Sequence, residues 1–451
     1  MQLPPLFRML VMLPLAAVLS AGPCHAAAPG PETKDAMRVL RDQCVSCHKA
    51  GKAKGGLLLT TREKMLTGGD TGPAVVPGKA ADSLVYQLAL QEGDPHMPPK
   101  KQLAAGEMEA LKAWIESGAP WDASVFDEPP VPRPVKLTAL PATYQPVLAL
   151  AFSPDEKRLA LARGSAVILV DMTKPEMPVV GRLEGHTEPV QSLAWSRDGK
   201  WLVTGGFQRI IVWDAATSQQ VRTLSDSLVG NVTALVLDAT SQALFAADGE
   251  TGSAGFVRKF SLQGDKPQAT WKAHDDTIYG LRLSPSGDRL LSGSADKLAR
   301  LWDTGTLKLV ATYEGHTNHV VSVAFNKDAT QIATAGADRE VKVWDVKSRE
   351  QDVTLGDKKT AFTGVAWTPD GQSLAVAMEN GAGSVYTQLK KHTGAQSSDS
   401  AKEVKLNRVE DTLTSIGITN DGKLVYAGDF SGKVHIWDAL TGKYKSTLEL
   451  K

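Results

Sequence analysis

Two cysteines, Cys44 and Cys47, are separated by two residues and followed directly by His48 in the stretch CVSCH. The chain holds one further cysteine, Cys24. In this pattern two thiols can add to the vinyl groups of a haem, while the imidazole that follows them ligates the iron. The spacing therefore predicts one covalently attached haem c per chain, with His48 as the proximal iron ligand.

Three other roles for the cysteine pair fit the sequence less well. A structural zinc site needs four protein ligands, usually in two separated pairs, and the chain has no second pair. A thioredoxin-like redox pair belongs at the start of a helix in a βαβ unit, whereas here a predicted helix precedes the cysteines and a Gly/Lys loop follows them. A disulfide between residues three apart would constrain little of the chain.

A candidate for the sixth iron ligand lies about fifty residues further on, in GDPHMPPKKQL. Met97 precedes Pro98 and Pro99, whose rings fix φ and stiffen the loop. A thioether presented on a rigid loop suits a distal ligand, and Met ligation raises the reduction potential. His96 is the rival ligand, and bis-His ligation would lower the potential.

The N-terminus has the layout of a secretory signal peptide, with a positive charge in residues 1–8 and an apolar run over residues 9–22. That run is about 14 residues, shorter than the roughly 20 needed to span a bilayer. We expect cleavage after Ala26, a periplasmic or otherwise exported protein, and no integral membrane segment in the mature chain. Acylation at Cys24 is an alternative, disfavoured by Pro23.

Four short helices are predicted around the haem. They are an amphipathic run from Glu32 or Thr33 into the attachment site, a helix with a capping box at Thr60 and Glu63, SLVYQLAL capped by Asp82, and GEMEALKAWIESG, which ends at Gly118. The haem would supply much of the apolar core that so short a segment otherwise lacks.

Residues from about 39 to 122 resemble the planctomycete-type cytochrome c domain through CVSCH, KGGLLLTTREKMLTGGDTGPAVVPG, DSLVYQLAL, MPPKKQL and LKAWIESGAPWD. In that family a Met-Pro-Pro loop follows the haem motif, and here it falls on Met97. The chain departs from the family at Ala104 and Ala105, where a capping residue would be expected, and this departure weakens only a helix cap. The resemblance implies a small all-α c-type cytochrome domain, which we place at residues 27–123.

The second half of the chain is repetitive. A Pro-rich linker at residues 124–136, which contains FDEPPVPRPVK from Phe126 to Lys136, is followed by VWD-like triplets at Trp213, Trp302, Trp344 and Trp437. Seven strand pairs start near Val147, Val190, Val232, Ile278, Val320, Phe362 and Leu413. Seven units of about 42 to 46 residues predict an all-β propeller at residues 137–451.

These units resemble WD40 repeats. In two of them the structural trio of that family falls on His274, Asp296 and Trp302, and on His316, Asp338 and Trp344. We interpret these histidines, and His186 in an earlier unit, as packing devices. Units one, three and six lack the closing Trp-Asp pair, so six or eight blades remain alternatives to seven.

The composition bears on the partners. Lys plus Arg and Asp plus Glu both number 50, so no net positive field favours nucleic acid. The remaining propeller histidines, His319, His392 and His435, are scattered and offer little for a second cofactor. Lysines near the haem motif could form a positive rim that steers acidic redox partners: Lys49, Lys52, Lys54, Lys100 and Lys101.

The sequence therefore predicts an exported electron carrier rather than an enzyme. One haem would exchange single electrons with redox proteins, and the propeller would be a docking platform for a protein partner. Two alternatives stay open: a redox enzyme with a catalytic site in the propeller, fed by the haem, and a haem-based sensor or scaffold.

Overall fold

The computed structural model describes residues 31–50, 52–99, 101–129, 137–138, 140–141, 143–252, 254–356, 359–387, 389, 401–448 and 450. The chain divides into two compact units, and the boundary falls between Phe126 and Asp127. The predicted signal peptide and residues 130–136 of the predicted linker lie outside the described residues.

The first unit is mainly helical. Its α-helices are α1 Pro31–Val39, α2 Arg62–Thr67, α3 Leu84–Gln87 and α4 Ala105–Glu116, with a π-helical turn at Leu40–Cys44 and 3₁₀ turns at Lys54–Gly56, Ala80–Asp82 and Ala123–Phe126. Two short strands, β1 His48–Lys49 and β2 Lys52–Ala53, pair antiparallel. The expected all-α domain is therefore found only in part. Among the described helices, none is long and apolar enough to cross a membrane.

Two helix starts differ in detail from the sequence prediction. The cap of α2 is Thr61 rather than Thr60, because the Thr61 hydroxyl accepts a hydrogen bond from the Lys64 amide (3.3 Å). At α4 the missing cap is partly replaced, since Glu107 Oε2 accepts from the Ala104 amide (2.8 Å). That contact is one half of a capping box.

The third helix is shorter than predicted and starts after Ser83, not at a cap formed by Asp82. Ser83 is fully buried, and its hydroxyl accepts from the Val76 amide (2.8 Å) and donates to the Lys79 carbonyl (2.8 Å). The side chain thus secures the preceding loop instead of capping α3.

An apolar core connects the elements of the first unit. Its fully buried members include Ala36, Met37, Leu40, Met65, Leu111, Ile115 and Val125. Val125 belongs to the last 3₁₀ turn, and its carbonyl accepts from Arg41 Nη1 (2.8 Å). The first unit therefore continues to Phe126, three residues beyond the end predicted at residue 123.

The second unit is a propeller of seven four-stranded antiparallel sheets, each built from four consecutive strands. Blade one comprises β3 Val147–Phe152, β4 Arg158–Arg163, β5 Ala166–Asp171 and β6 Val179–Glu184, and blade two comprises β7 Ser192–Trp195, β8 Trp201–Gly206, β9 Arg209–Asp214 and β10 Gln220–Leu224. Blade three comprises β11 Ala234–Leu237, β12 Ala243–Glu250, β13 Ala254–Ser261 and β14 Pro267–His274, and blade four comprises β15 Ile278–Leu283, β16 Arg289–Ser294, β17 Ala299–Asp303 and β18 Leu309–Tyr313. Blade five comprises β19 Val320–Phe325, β20 Gln331–Gly336, β21 Val341–Asp345 and β22 Gln351–Leu355. Blade six comprises β23 Phe362–Trp367, β24 Ser373–Met378, β25 Gly383–Thr387 and β26 Lys402–Leu406. Blade seven comprises β27 Leu413–Ile418, β28 Leu424–Asp429, β29 Val434–Asp438 and β30 Tyr444–Leu448. The prediction of seven blades is confirmed.

The first strands of the blades contact one another in order, and β27 returns to β3, which closes the ring. At this closure the Ser415 hydroxyl donates to the Val147 carbonyl (3.2 Å). A Cβ at Gly428 would lie 2.5 Å from Val147 Cγ1, so the approach of blade seven to blade one requires glycine there. The middle strands are buried on both faces, as expected for sheets packed between two neighbours.

Candidate haem site and propeller networks

One continuous turn carries the three predicted attachment residues. The π-helical turn extends α1, and the chain then bends through hydrogen bonds from the Cys47 amide to the Cys44 carbonyl (3.1 Å) and from the His48 amide to the Val45 carbonyl (3.1 Å). These local bonds bring two thiols and an imidazole together at the end of a helix that is anchored in the core.

The two thiols are free and half-buried. Burial, followed by the proximity of Cys47 and Glu107, raises the pKa of the Cys44 thiol to about 12. A thioredoxin-like pair requires a thiol with a lowered pKa. The pKa of Cys44 is raised instead of lowered, so the site does not fit a thioredoxin-like pair.

The His48 side chain has an unsatisfied nitrogen. Its Nδ1 atom is buried and has no hydrogen-bond partner within the described chain. Burial lowers the pKa of the imidazole, and the nearby backbone of Lys54 and Leu57 offsets part of this shift without giving Nδ1 a well-formed hydrogen bond. A neutral imidazole beside two free thiols matches the donor set that a covalently attached haem requires.

The rival distal ligands lie on a separate loop. The Met97 amide donates to the Leu88 carbonyl (2.7 Å), and the Met97 side chain is half-buried. In His96, Nδ1 donates to the Pro98 carbonyl (3.0 Å) and Nε2 lies 2.9 Å from Gln102 Oε1. Both nitrogens of His96 thus have partners within their own loop, and nothing in the sequence marks Gln102 as one of them.

The predicted lysine rim is only partly described. Lys49 and Lys52 face each other across the β1–β2 pair, and Lys54 follows β2 directly. The side chains of Lys52, Lys54 and Lys101 are exposed. Lys100 lies outside the described residues. Like charges that face each other across strands are unfavourable, so this placement does not serve local stability.

The predicted His-Asp-Trp trio of the fourth blade forms a connected network. His274 Nδ1 donates to the Asp296 carboxylate (3.0 Å), and His274 Nε2 lies 2.7 Å from the Ser292 hydroxyl. Trp302 Nε1 donates to the same hydroxyl (2.9 Å). Burial lowers the pKa of His274, which keeps the ring neutral. The hydroxyl that links His to Trp was not recognised in the sequence.

The fifth blade repeats this geometry. His316 Nδ1 donates to Asp338 (2.9 Å), and the Thr334 hydroxyl lies 2.8 Å from His316 Nε2 and accepts from Trp344 Nε1 (2.9 Å). Burial acts to raise the pKa of Asp338, but the hydrogen bond from His316 holds it below its usual value. The same arrangement in two blades satisfies every polar group involved and supports a structural role.

Known protein families match both the unit that carries the haem motif and the propeller. The family described as Planctomycete cytochrome C matches residues 44–101, and the WD domain, G-beta repeat matches residues 177–214, 265–303, 307–345 and 405–438. The chain joins a planctomycete-type cytochrome c domain to a WD40 propeller. The resemblance seen in the sequence is thereby confirmed, and the matches support a haem-binding protein with a propeller.

Individual relatives are more distant. The chain is 27% identical over 146 residues to Cell division cycle 20.4, cofactor of APC complex, from Arabidopsis thaliana, covering 32% of each protein. It is 26% identical over 298 residues to a guanine nucleotide-binding protein subunit beta from Oryza sativa subsp. indica, covering 63% of this chain and 77% of the relative. The chain spans about a third of the length of the first of these relatives.

Two blades of the WD40 propeller use a different polar pair. In blade three, Arg258 donates to Asp248 (2.6 and 3.1 Å), and in blade seven His435 Nε2 donates to Asp429 (2.9 Å). In both, the basic residue pairs across the sheet with the alanine two residues before the aspartate. His435 is therefore part of a packing network, and His392 lies outside the described residues. The described side chains include no group of three His, Cys, Asp or Glu able to hold a metal ion.

Blade two retains the histidine but lacks the aspartate. His186 Nε2 lies 2.8 Å from the Thr204 hydroxyl, which also accepts from Trp213 Nε1 (3.0 Å). Burial, followed by the charge of Arg209, lowers the pKa of His186 to about 4. This imidazole must remain neutral in the folded WD40 propeller.

The lowered pKa predicts acid sensitivity that can be traced to His186. Between pH 6.5 and about 4 the unfolded chain binds a proton at this residue that the folded chain does not, so stability falls as the pH falls. Between pH 7 and pH 5 we expect His186 to contribute a loss of about 2 kcal/mol in the free energy of unfolding. Denaturant titrations should show a shallower pH dependence for His186→Gln. The matched variant His319→Gln, at an exposed ring, should keep the wild-type slope, and equal slopes in all three proteins would contradict this account.

Proposed function

We propose that the protein is an exported monohaem c-type cytochrome that carries single electrons between protein partners, with the WD40 propeller as a docking platform. The observation that carries the proposal is the turn in which the thiols of Cys44 and Cys47 stand beside an imidazole whose Nδ1 has no partner in the part of the chain that the structure describes. Export rests on the signal-peptide pattern of residues 1–26.

Each residue of the site has a distinct task in this function. Cys44 and Cys47 would hold the haem by thioether bonds, and His48 would be the proximal ligand. Met97 would be the distal ligand, since Leu88 holds its backbone and both ring nitrogens of His96 lie within 3.0 Å of an oxygen atom of their own loop. The bound haem supplies a one-electron iron couple. The apolar core next to Cys44 excludes water from one side of the site.

The decisive test is whether haem stays with the polypeptide. The full chain would be produced with a periplasmic haem-attachment system, extracted under denaturing conditions and examined by visible spectroscopy in both oxidation states. We expect wild type and Cys24→Ser to retain one haem per chain, and Cys44→Ser/Cys47→Ser to lose it. Complete extraction of haem from wild type would refute covalent attachment.

The partner is proposed to be an acidic redox protein. Lys52 and Lys54 are exposed and adjoin the attachment turn, because the Lys54 amide donates to the Cys47 carbonyl (3.2 Å). Positive charge beside the site of electron exchange raises the encounter rate with an anionic partner. The propeller offers a further rigid surface for protein binding.

Charge reversal tests this proposal with an anionic probe. In stopped-flow oxidation of the reduced protein by ferricyanide, Lys52→Glu/Lys54→Glu should react about tenfold more slowly than wild type at low ionic strength. The difference should vanish at about 1 M salt, where the Debye length is about 3 Å. The control Lys64→Glu/Lys79→Glu makes the same charge change at two exposed positions elsewhere in the unit. Equal slowing in both double variants would show a net-charge effect and no steering rim.

A further inference from the structure

A chain of hydrogen bonds runs across the loop that carries Met97. His96 Nδ1 donates to the Pro98 carbonyl (3.0 Å), and His96 Nε2 lies 2.9 Å from Gln102 Oε1. Gln102 Nε2 in turn donates to the Ala89 carbonyl (2.9 Å). The His96 side chain therefore bridges two points of its own loop, and Gln102 carries the connection to the segment that follows α3.

Both ends of this connection are fixed in the core. Ala89 is 3% exposed, and Leu103, the neighbour of Gln102, is 4% exposed. The Met97 amide is bound to Leu88, which precedes Ala89. The loop is thus held by the backbone bond at Met97, by a bond from the Lys101 amide to the Pro98 carbonyl (3.3 Å), and by two side chains that flank it.

We infer that His96 and Gln102 are positioning residues that hold the Met97 loop against the core, and that His96 is not an iron ligand. The inference rests on the proposed function, because in that function the loop presents the Met97 thioether to the haem iron. His96 Nδ1 carries the hydrogen that it donates to the Pro98 carbonyl, so only Nε2 could offer a lone pair to iron. Gln102 Oε1 lies 2.9 Å from Nε2 and is held there by the bond from Gln102 Nε2 to the Ala89 carbonyl, so it covers that lone pair.

Loss of the bridge should loosen the loop. A hydrogen bond in a protein contributes modestly, so removing both contacts of His96 should raise the open population of the loop about tenfold. An open loop would withdraw the thioether and leave the iron accessible to an external ligand. Hydrogen exchange at the Met97 amide should therefore become faster, even though Met97 itself is not altered.

The experiment compares His96→Ala, His96→Asn and Gln102→Ala in the full-length haem protein. His96→Asn retains a donor at the position of Nδ1 and therefore the contact with Pro98, although an amide is a poor iron ligand. Three quantities would be measured: the sulfur-to-iron band of the oxidised protein, the rate of carbon monoxide binding to the reduced protein, and hydrogen exchange at the Met97 amide. Exchange does not depend on electron-transfer activity.

We expect His96→Ala to keep haem, to bind carbon monoxide about tenfold faster and to exchange the Met97 amide about tenfold faster than wild type. Gln102→Ala should resemble it, and His96→Asn should recover part of the wild-type behaviour. Unchanged exchange and carbon monoxide binding in His96→Ala would overturn the inference and leave the proposed function intact.

Other outcomes distinguish a failure of the positioning role of His96 from a failure of the proposed cytochrome function. A wild-type protein without a sulfur-to-iron band, which acquires an open iron site only when His96 is replaced, would make His96 the ligand and overturn the inference. A wild-type protein without covalent haem would refute the proposed function, and amide exchange would still decide whether His96 positions the loop. If His96→Ala fails to fold, His96→Asn and Gln102→Ala provide the same comparison.

Discussion

Replacing Met97 with alanine should abolish the sulfur-to-iron band of the oxidised haem protein and allow carbon monoxide to bind the reduced protein. The reduction potential should fall by on the order of 0.1 V, a part of the range of about 0.8 V that axial ligands span, because a thioether ligand raises the potential. Visible spectra and a potentiometric titration of the full-length protein would measure all three changes.

The matched control removes another methionine of the same unit. Met108 is half-buried on α4 and packs against the core. Met108→Ala should keep the band and the potential of wild type. If Met97→Ala kept the band, the distal ligand would have to be sought elsewhere in the chain.

Replacing Arg258 with methionine should destabilise the propeller by about 3–5 kcal/mol, because it would leave a buried carboxylate without its partner. Arg258 and Asp248 have no exposed side-chain surface, and Arg258 donates two hydrogen bonds to the carboxylate. A third donor to Asp248, the Val229 amide (2.7 Å), would remain. Denaturant unfolding of the full chain, monitored by tryptophan fluorescence, would measure the loss.

Two variants distinguish a buried pair from an ordinary ion pair. Asp248→Asn/Arg258→Met removes both charges and should recover most of the stability that Arg258→Met loses. Arg182→Ala breaks an exposed pair with Glu184 (2.7 Å) and should change the free energy of unfolding by no more than about 0.5 kcal/mol. A loss in Arg258→Met no larger than that of Arg182→Ala would mean that the pair contributes nothing beyond a surface contact.

Some elements of the fold were predictable from the sequence, and two helix starts were not. The strand pairs and the His274 and His316 networks were predictable, because period-two alternation and a repeated spacing are local signals. The helix starts at Thr61 and Ser83 were each missed by one residue. In the second case the reason is tertiary: Ser83 is drawn to Val76 and Lys79 by burial.

Contacts between distant residues were beyond the reach of local patterns. Asp248 and Arg258 belong to a blade that lacks the WD40 signature, so nothing in their spacing marked them as a pair. His435 was left as an unassigned histidine until the sheet register placed it beside Asp429. Gln102 looked like an ordinary polar residue, and only the fold brings its amide to Ala89 and His96.

The haem motif, the Met-Pro-Pro loop and the propeller class follow from residues that are close in the chain, because attachment chemistry, loop stiffness and strand alternation each act over a few positions. The choice among rival roles depends on which atoms are already bonded. Among the described residues His48 Nδ1 has no hydrogen-bond partner, whereas both ring nitrogens of His96 lie within 3.0 Å of an oxygen atom. The partners of His96 are near it in the chain, but the Gln102 amide is oriented by Ala89, 13 residues earlier. Only the tertiary structure therefore shows that Gln102 Oε1 lies beside His96, because local sequence does not fix that orientation.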